Sequence, residues 1–541
     1  MMARLVHDNP FVAPVEPVLE LDDIQGAAVP GFLKPFQTLI GVRCATGKEA
    51  SFRKFVRGIS PNVSDARLTL KDRRDNRQSK KKDVAKEPIA LIGLALSFRG
   101  LLKLTPGAMS FGSEAFRVGM LGRSELLGDP TDPSDEGHPS RWKVGQPGQE
   151  LDALVLFAGD TRECVERGCE VVLRELNAAV MQVAWREDGA VRHDVIGGVS
   201  FKGHEHFGFN DGVSQPGIRG LATKDDPADF ITDRHVSPDD VPAYWLNGYP
   251  GQTLVWPGEF LLGHPASSVD PMLRGRMTPA DPPWTRNGSF LVFRRLRQDV
   301  RLFWQFMHSE AARLAHEAGF HGLTAEKFAS MLVGRWPSGA PFNRTPKYDI
   351  PDLGKDQMAN NYFRFDSDTL PFKDITDPYP MATADPAGTT CPLAAHIRKV
   401  NTRDSASDTG SQDSTYKRRL FRAGIPFGKP LDDPFAPEGD DPEKGERGLL
   451  FLSIQASIED QFEFLCARWA NDPSRPKMPG GHDFIIGQNG APDGQGMRRC
   501  VMFGSDLKES HLSTTRRWVI PTGGGYFFLP SKSALTEVLG S

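Results

Sequence analysis

The stretch Ala153–Leu173, ALVLFAGDTRECVERGCEVVL, decides the fold. Its first six residues are a continuous apolar run, short enough to be a buried strand. A polar turn follows, and Val165, Cys169, Val172 and Leu176 then share one face of a helix predicted over Thr161–Leu176. Strand, turn and amphipathic helix are the middle of a β-α-β-β-α-β unit. Far along the chain, Gly448–Trp469, GLLFLSIQASIEDQFEFLCARW, repeats the pattern without repeating the residues. Phe462, Leu465 and Trp469 again fall at helical spacing.

Working outward, the first unit gains a strand at Phe36–Arg43, a helix over Lys48–Ile59, a strand at Ala90–Leu96 leading into a helix near Leu101, and a strand at Met181–Trp185. The second gains a strand at Ser289–Arg294, a helix over Val300–His316 and a closing strand at Tyr526–Pro530. The expected fold class is α+β, with two ferredoxin-like domains at 1–220 and 286–541. Residues 221–285, rich in Asp, Pro and Gly, read as a linker with long loops. Residues 1–20 read as an irregular lead-in, 71–87 as a solvated charged face and 129–150 as a loop. The polar stretches 402–419 and 435–447 cannot pack a core and are expected on the surface.

Composition removes several function classes. A hydrophobic share of 39% over 541 residues supports a substantial core. A formal net charge of -4 and no long basic patch argue against nucleic acid. The six cysteines are scattered and form no CxxC, which excludes a zinc ribbon, a thioredoxin motif and covalent haem attachment. They read as free thiols in a reducing compartment. No run of about 18 apolar residues exists, so no membrane span is expected. The N-terminal residues lack a secretory pattern, so the expected location is the cytoplasm.

Three segments could carry chemistry. Gly208-Phe209-Asn210-Asp211-Gly212 sets a carboxylate between glycines that allow a tight path into a cavity. Alone, such a segment is more often an ordinary Asn-Asp-Gly turn. CPLAAHIRKVN, residues 391–401, holds His396, whose neutral imidazole suits an iron. Arg398 beside it suits a carboxylate. A lone histidine is more often a hydrogen-bonded core residue. RAGIPFG, residues 422–428, holds one arginine among apolar and turn residues, which reads equally as the end of a surface basic cluster.

Together and in this order, the three segments resemble the dye-decolorizing peroxidase family. LDDIQGAAVPGF, NGSFLVFRRLRQDV, GLLFLSIQASIEDQFEF and GGGYFFLPS extend the resemblance over nearly the whole chain. It implies two ferredoxin-like domains of the dimeric α+β barrel type, with one non-covalent haem b held mainly in the C-terminal domain. It implies His396 as the proximal iron ligand, Asp211 as the distal acid–base carboxylate and Arg422 as the charge stabiliser beside it. It implies Leu449 and Phe451 as pocket residues, their i, i+2 spacing placing both on one strand face. Asp483 resembles the carboxylate behind the proximal imidazole, and Arg398 is expected at a haem propionate. The implied partners are hydrogen peroxide and an aromatic reductant, a dye or phenolic. The family relays electrons through a tyrosine where this chain has Phe427, a poor radical site, and through a surface tryptophan matched by Trp469. The competing class on the same fold is a haem-binding, iron-releasing protein with little peroxidase turnover; retention of both Asp211 and Arg422 favours catalysis. Oligomeric state stays open, because apolar helix faces serve core and interface alike.

Overall fold

The computed structural model describes residues 14–82, 86–221, 235–237, 239–241, 243–410, 412–438, 446–488 and 496–541. Parts of the lead-in 1–20, the charged run 71–87, the linker 221–285 and the loops 402–419 and 435–447 lie outside the described residues.

The first half runs strand β1 (Phe36–Arg43), helix α1 (Glu49–Ile59), strands β2 (Ala90–Leu96) and β3 (Ala153–Gly159), helix α2 (Arg162–Ala178) and strand β4 (Gln182–Ala190). Strand β3 is buried along its whole length, as its unbroken apolar run requires. Helix α2 starts where the Thr161 hydroxyl accepts the Cys164 amide, and it buries Val165, Cys169, Val172 and Leu176.

The second half runs β5 (Ser289–Gln298), α3 (Val300–Leu314), β6 (Ile425–Phe427), β7 (Gly448–Gln455), helix α4 (Ile458–Ala470), wound as a π-helix, and β8 (Val519–Leu529). Asp299 caps α3 and Ser457 caps α4. Two strands depart from the sequence reading. Strand β6 has no legible strand pattern, being three residues long with a proline at its centre. It pairs fully with β7 and meets β4 only at Phe427–Gly189, which leaves room for a residue without an N–H. Strand β8 begins at Val519, well before the expected Tyr526, because Pro521 and three glycines disguise it. A Cβ on Gly524 would sit 2.5 Å from the Phe293 carbonyl oxygen, so glycine lets β8 lie close against β5.

Each half has the ferredoxin-like strand order, β2-β3-β1-β4 and β6-β7-β5-β8, with every pair antiparallel. The halves join at Phe427–Gly189 and at Phe528–Leu96, which closes one barrel. The expected boundary between 1–220 and 286–541 therefore falls between two halves of a continuous sheet. Leu39, Leu156, Phe293, Leu450 and Phe527 fill the interior. Alternate residues such as Val155 and Phe157 face outward onto α1 and α2. All six cysteines are free, and five are buried. Among the described residues, no helix is long and apolar enough to cross a membrane.

Candidate active site

Outside the barrel, against the C-terminal half, lies a cavity of about 820 Å³. Leu296 of β5, Leu449 and Phe451 of β7, and Phe462 and Leu465 of α4 form its apolar wall, and residues 209–216 form another side. This size matches the usual range for cofactor sites, roughly 300–1,000 Å³. Leu449 and Phe451 alternate with Leu450 and Leu452, which turn into the barrel.

His396 opens the short helix His396–Val400 and lines the cavity. Its Nδ1 lies 2.7 Å from Asp483 Oδ2. Asp483 is fully buried, and its other oxygen accepts the Ile485 and Ile486 amides at 2.8 and 3.0 Å. Burial alone would raise this carboxyl. His396 and the two amides outweigh burial and hold it below the usual carboxylate range. With Nδ1 committed, Nε2 is the nitrogen left to hold a ligand. Lys399, one helical turn on, is buried and donates to the Asp472 and Gly481 carbonyls at 2.9 and 2.7 Å, tying down the segment that leads to Asp483.

Asp211 and Arg422 face the same cavity. The Arg422 guanidinium donates to Asp211 Oδ1 at 3.1 Å and to the Ser214 carbonyl at 3.0 Å. The Gly212 amide donates to the same carboxylate oxygen at 2.6 Å. Gln215 locks the pair from behind: its amide nitrogen donates to the Arg422 carbonyl and its oxygen accepts the Arg422 amide, at 2.7 and 3.2 Å. A carboxylate that can take up and release a proton thus stands beside a fixed cation, in a partly apolar cavity.

Further arginines line the cavity, among them Arg335, Arg403 and Arg419, none of which the sequence reading singled out as a site residue. Arg335 donates to the Gly339 and Asn360 carbonyls and the Asn361 side chain. Arg403 donates to the Asn361 and Phe363 carbonyls, and Arg419 Nε has no partner. Among the described residues, no carboxylate pairs with any of the three. Burial depresses all of them, Arg335 to about 9. One buried and two half-buried cations without counter-ions among the described residues fit a ligand that brings its own carboxylates. The haem that the resemblance implies carries two, so the wall suits it, as does a histidine with a free Nε2.

Two expectations are corrected. Arg398 does not reach the cavity: it is buried, pairs with Asp385 at 3.1 Å and donates to the Cys391 carbonyl at 2.9 Å. Two residues after His396 on a short helix, it points away from the ligand side. Trp469 is not at the surface. Its exposure is 0%, and its indole N–H donates to Asp408 at 2.9 Å. The helical face it shares with Phe462 and Leu465 is the buried one.

The barrel and its flanking cavity define an α+β barrel enzyme. Residues 23–193 match the DyP dimeric α+β barrel domain. The chain is 31% identical over 463 residues to dye-decolorizing peroxidase msp1 of Mycetinis scorodonius, covering 84% of this chain and 78% of that protein. It is 29% identical over 501 residues to a multifunctional dye peroxidase of Amycolatopsis, covering 91% and 90%. An ancestral D-type dye-decolorizing peroxidase superposes with a TM-score of 0.74 at 32% identity, covering 97% of this chain and 100% of that one. A dye-decolorizing peroxidase in complex with 2,6-dimethoxyphenol superposes with a TM-score of 0.70 at 27% identity, with the same coverage. The chain belongs to the dye-decolorizing peroxidase family, and its enzyme class is that of a peroxidase.

Proposed function

We propose that this protein reduces hydrogen peroxide with a non-covalent haem b and oxidises phenolics, dyes or related aromatics by one-electron steps. The observation that carries the reading is one cavity that receives both His396, backed by Asp483, and the Asp211–Arg422 pair. His396 Nε2 would hold the iron, and Arg335, Arg403 and Arg419 would meet the propionates. Bound haem supplies the oxidising chemistry. The chain's own residues handle protons and charge. Asp211, ionised, takes a proton from one peroxide oxygen and returns it to the other, so that water can leave. Arg422 stabilises the negative charge that grows on the departing oxygen. Asp483 accepts the His396 Nδ1–H, fixes the ring's tautomer and raises its basicity. Leu449, Phe451 and Phe462 keep the site dry, which strengthens each of these interactions. The phenol complex of the related structure supports a phenolic reductant here.

Purified protein should carry a haem absorption band that changes at once on adding one equivalent of peroxide. Asp211→Asn should keep its haem and slow that change by roughly 10²–10⁴-fold. An unchanged rate would remove Asp211 from the acid–base role. Haem inert to peroxide in the wild type would favour the iron-releasing class.

A further inference from the structure

Six residues before Asp211, the same loop carries Glu205, a carboxyl that the acid–base reading leaves idle. It lines the cavity. Its Oε2 accepts the Phe207 amide at 2.8 Å, and its Oε1 accepts the Phe209 amide at 2.9 Å. The side-chain amide of Gln298, from β5, also donates to Oε2. Its own carbonyl accepts the Gly208 amide at 3.1 Å and the Arg192 guanidinium at 2.9 Å. The backbone thus wraps around one carboxylate, and Gly208 makes the tight path possible at φ +100. Asn210 and Asp211 are the next residues out of the wrap, pinned in turn to the Pro337 and Gly203 carbonyls.

Among the described residues, the surroundings offer this carboxylate donors and no ion-pair partner. Arg192 is spent on Asp194 and on the Glu205 carbonyl. Burial keeps His204 and His206 neutral, on the same loop. Strand β5 presents Gln298, and α3 presents the Trp304 indole, which donates to the Phe207 carbonyl at 3.0 Å. The charged neighbour that acts on it is Asp211, of like sign.

We propose that Glu205 is the positioning residue for Asp211: its ionised carboxylate grips the loop at Phe207 and Phe209 and so sets where the Asp211 carboxylate stands for proton transfer. The inference rests on the peroxidase reading above. Burial works most strongly against ionisation, the Asp211 charge adds to it, and the three donors oppose both; the carboxyl is pushed up to about 7. A neutral carboxyl accepts these donors more weakly than a carboxylate does, and a proton on Oε2, which already accepts Phe207 and Gln298, displaces one of them. The wrap is then weaker, so the loop is held less firmly on the acid side of that value.

The test is the rate of the holoenzyme with hydrogen peroxide, followed from acid to alkaline pH. Wild type should show an inflection at about 7. Glu205→Gln keeps the size of the side chain but cannot ionise. It should lose the neutral inflection and fall by roughly tenfold or more on its alkaline side. Gln298→Leu removes one donor and should move the inflection to higher pH. A Glu205→Gln profile of wild-type shape overturns the inference, even if scaled down throughout, because uniform loss is what general damage gives. If Glu205→Gln does not fold, an unmoved inflection in Gln298→Leu overturns it instead. Asp211→Asn separates the two failures. If it reacts as fast as wild type, the acid–base reading falls and takes this inference with it. If it is slow while the Glu205 profile stays unshifted, only the inference falls.

Discussion

Lys34 is a buried cation and Arg403 a half-buried one, and the molecule treats them in opposite ways. Lys34, beside the first half of the barrel, sits 2.6 Å from Asp72 and 2.8 Å from Asp160. Arg403, in the second half, meets only carbonyl oxygens and the face of the Phe363 ring. Arg335 and Arg419 likewise pair with no carboxylate among the described residues. The two halves share one strand order, yet the connection between their first two strands runs from 44 to 89 in one and from 299 to 424 in the other. The longer insertion brings in His396, Arg335, Arg403, Arg419 and Arg422. One half thus shows a core closed on itself. The other leaves charge unbalanced around a cavity, at a cost to stability that an anionic ligand would offset.

The largest effect expected from this contrast is on the balanced side. Asp72→Asn strips Lys34 of its fully buried partner and should destabilise the fold by about 3 kcal/mol, read by denaturant unfolding. Arg403→Met works in the other direction. It removes a half-buried charge that has no counter-ion among the described residues, so the haem-free protein should stay within about 1 kcal/mol of wild type or gain stability. The same variant should hold haem less tightly, read by transfer of haem to an acceptor protein. If Arg403→Met unfolds the haem-free protein as readily as Asp72→Asn does, the contrast between the halves is void.

Much of this was legible in the residues, and the gaps have physical causes. The repeated strand–turn–helix pattern at Ala153 and Gly448 carried the ferredoxin-like halves, because both buried strands are unbroken apolar runs. Strand β6 stayed hidden because three residues around a proline have no period to read. That the halves form one barrel was implied by the family resemblance and not by any local pattern, since it rests on single contacts at Phe427–Gly189 and Phe528–Leu96. At the site, motif resemblance singled out Asp211, His396 and Arg422. The pairing of guanidinium with carboxylate singled out Arg398, where Arg403, seven residues after His396, is the one that lines the cavity. Which arginine turns inward depends on where the chain goes after a five-residue helix, and no periodicity covers that stretch. Glu205 was overlooked because a carboxylate that binds its own loop has no signature apart from the loop's path.

The smallest effect expected on activity sharpens the same contrast from within the second half, where Trp469 is as fully packed as anything around Lys34. Its indole N–H is spent on Asp408, which also holds Arg468 and Arg475 at 2.7 Å each. Trp469→Phe keeps most of the apolar volume and loses that one bond to a charged group, so it should cost about 1–3 kcal/mol of stability. Oxidation of a bulky dye should be unchanged relative to oxidation of a small phenol, because a residue with no exposed surface offers the dye no contact. The ratio of the two activities is therefore the measurement, since general destabilisation lowers both alike. A selective loss of dye oxidation would mean that electrons pass through a buried indole after all. In that case the Asp408 carboxylate, which accepts the indole N–H, would be the group that stabilises its oxidised form.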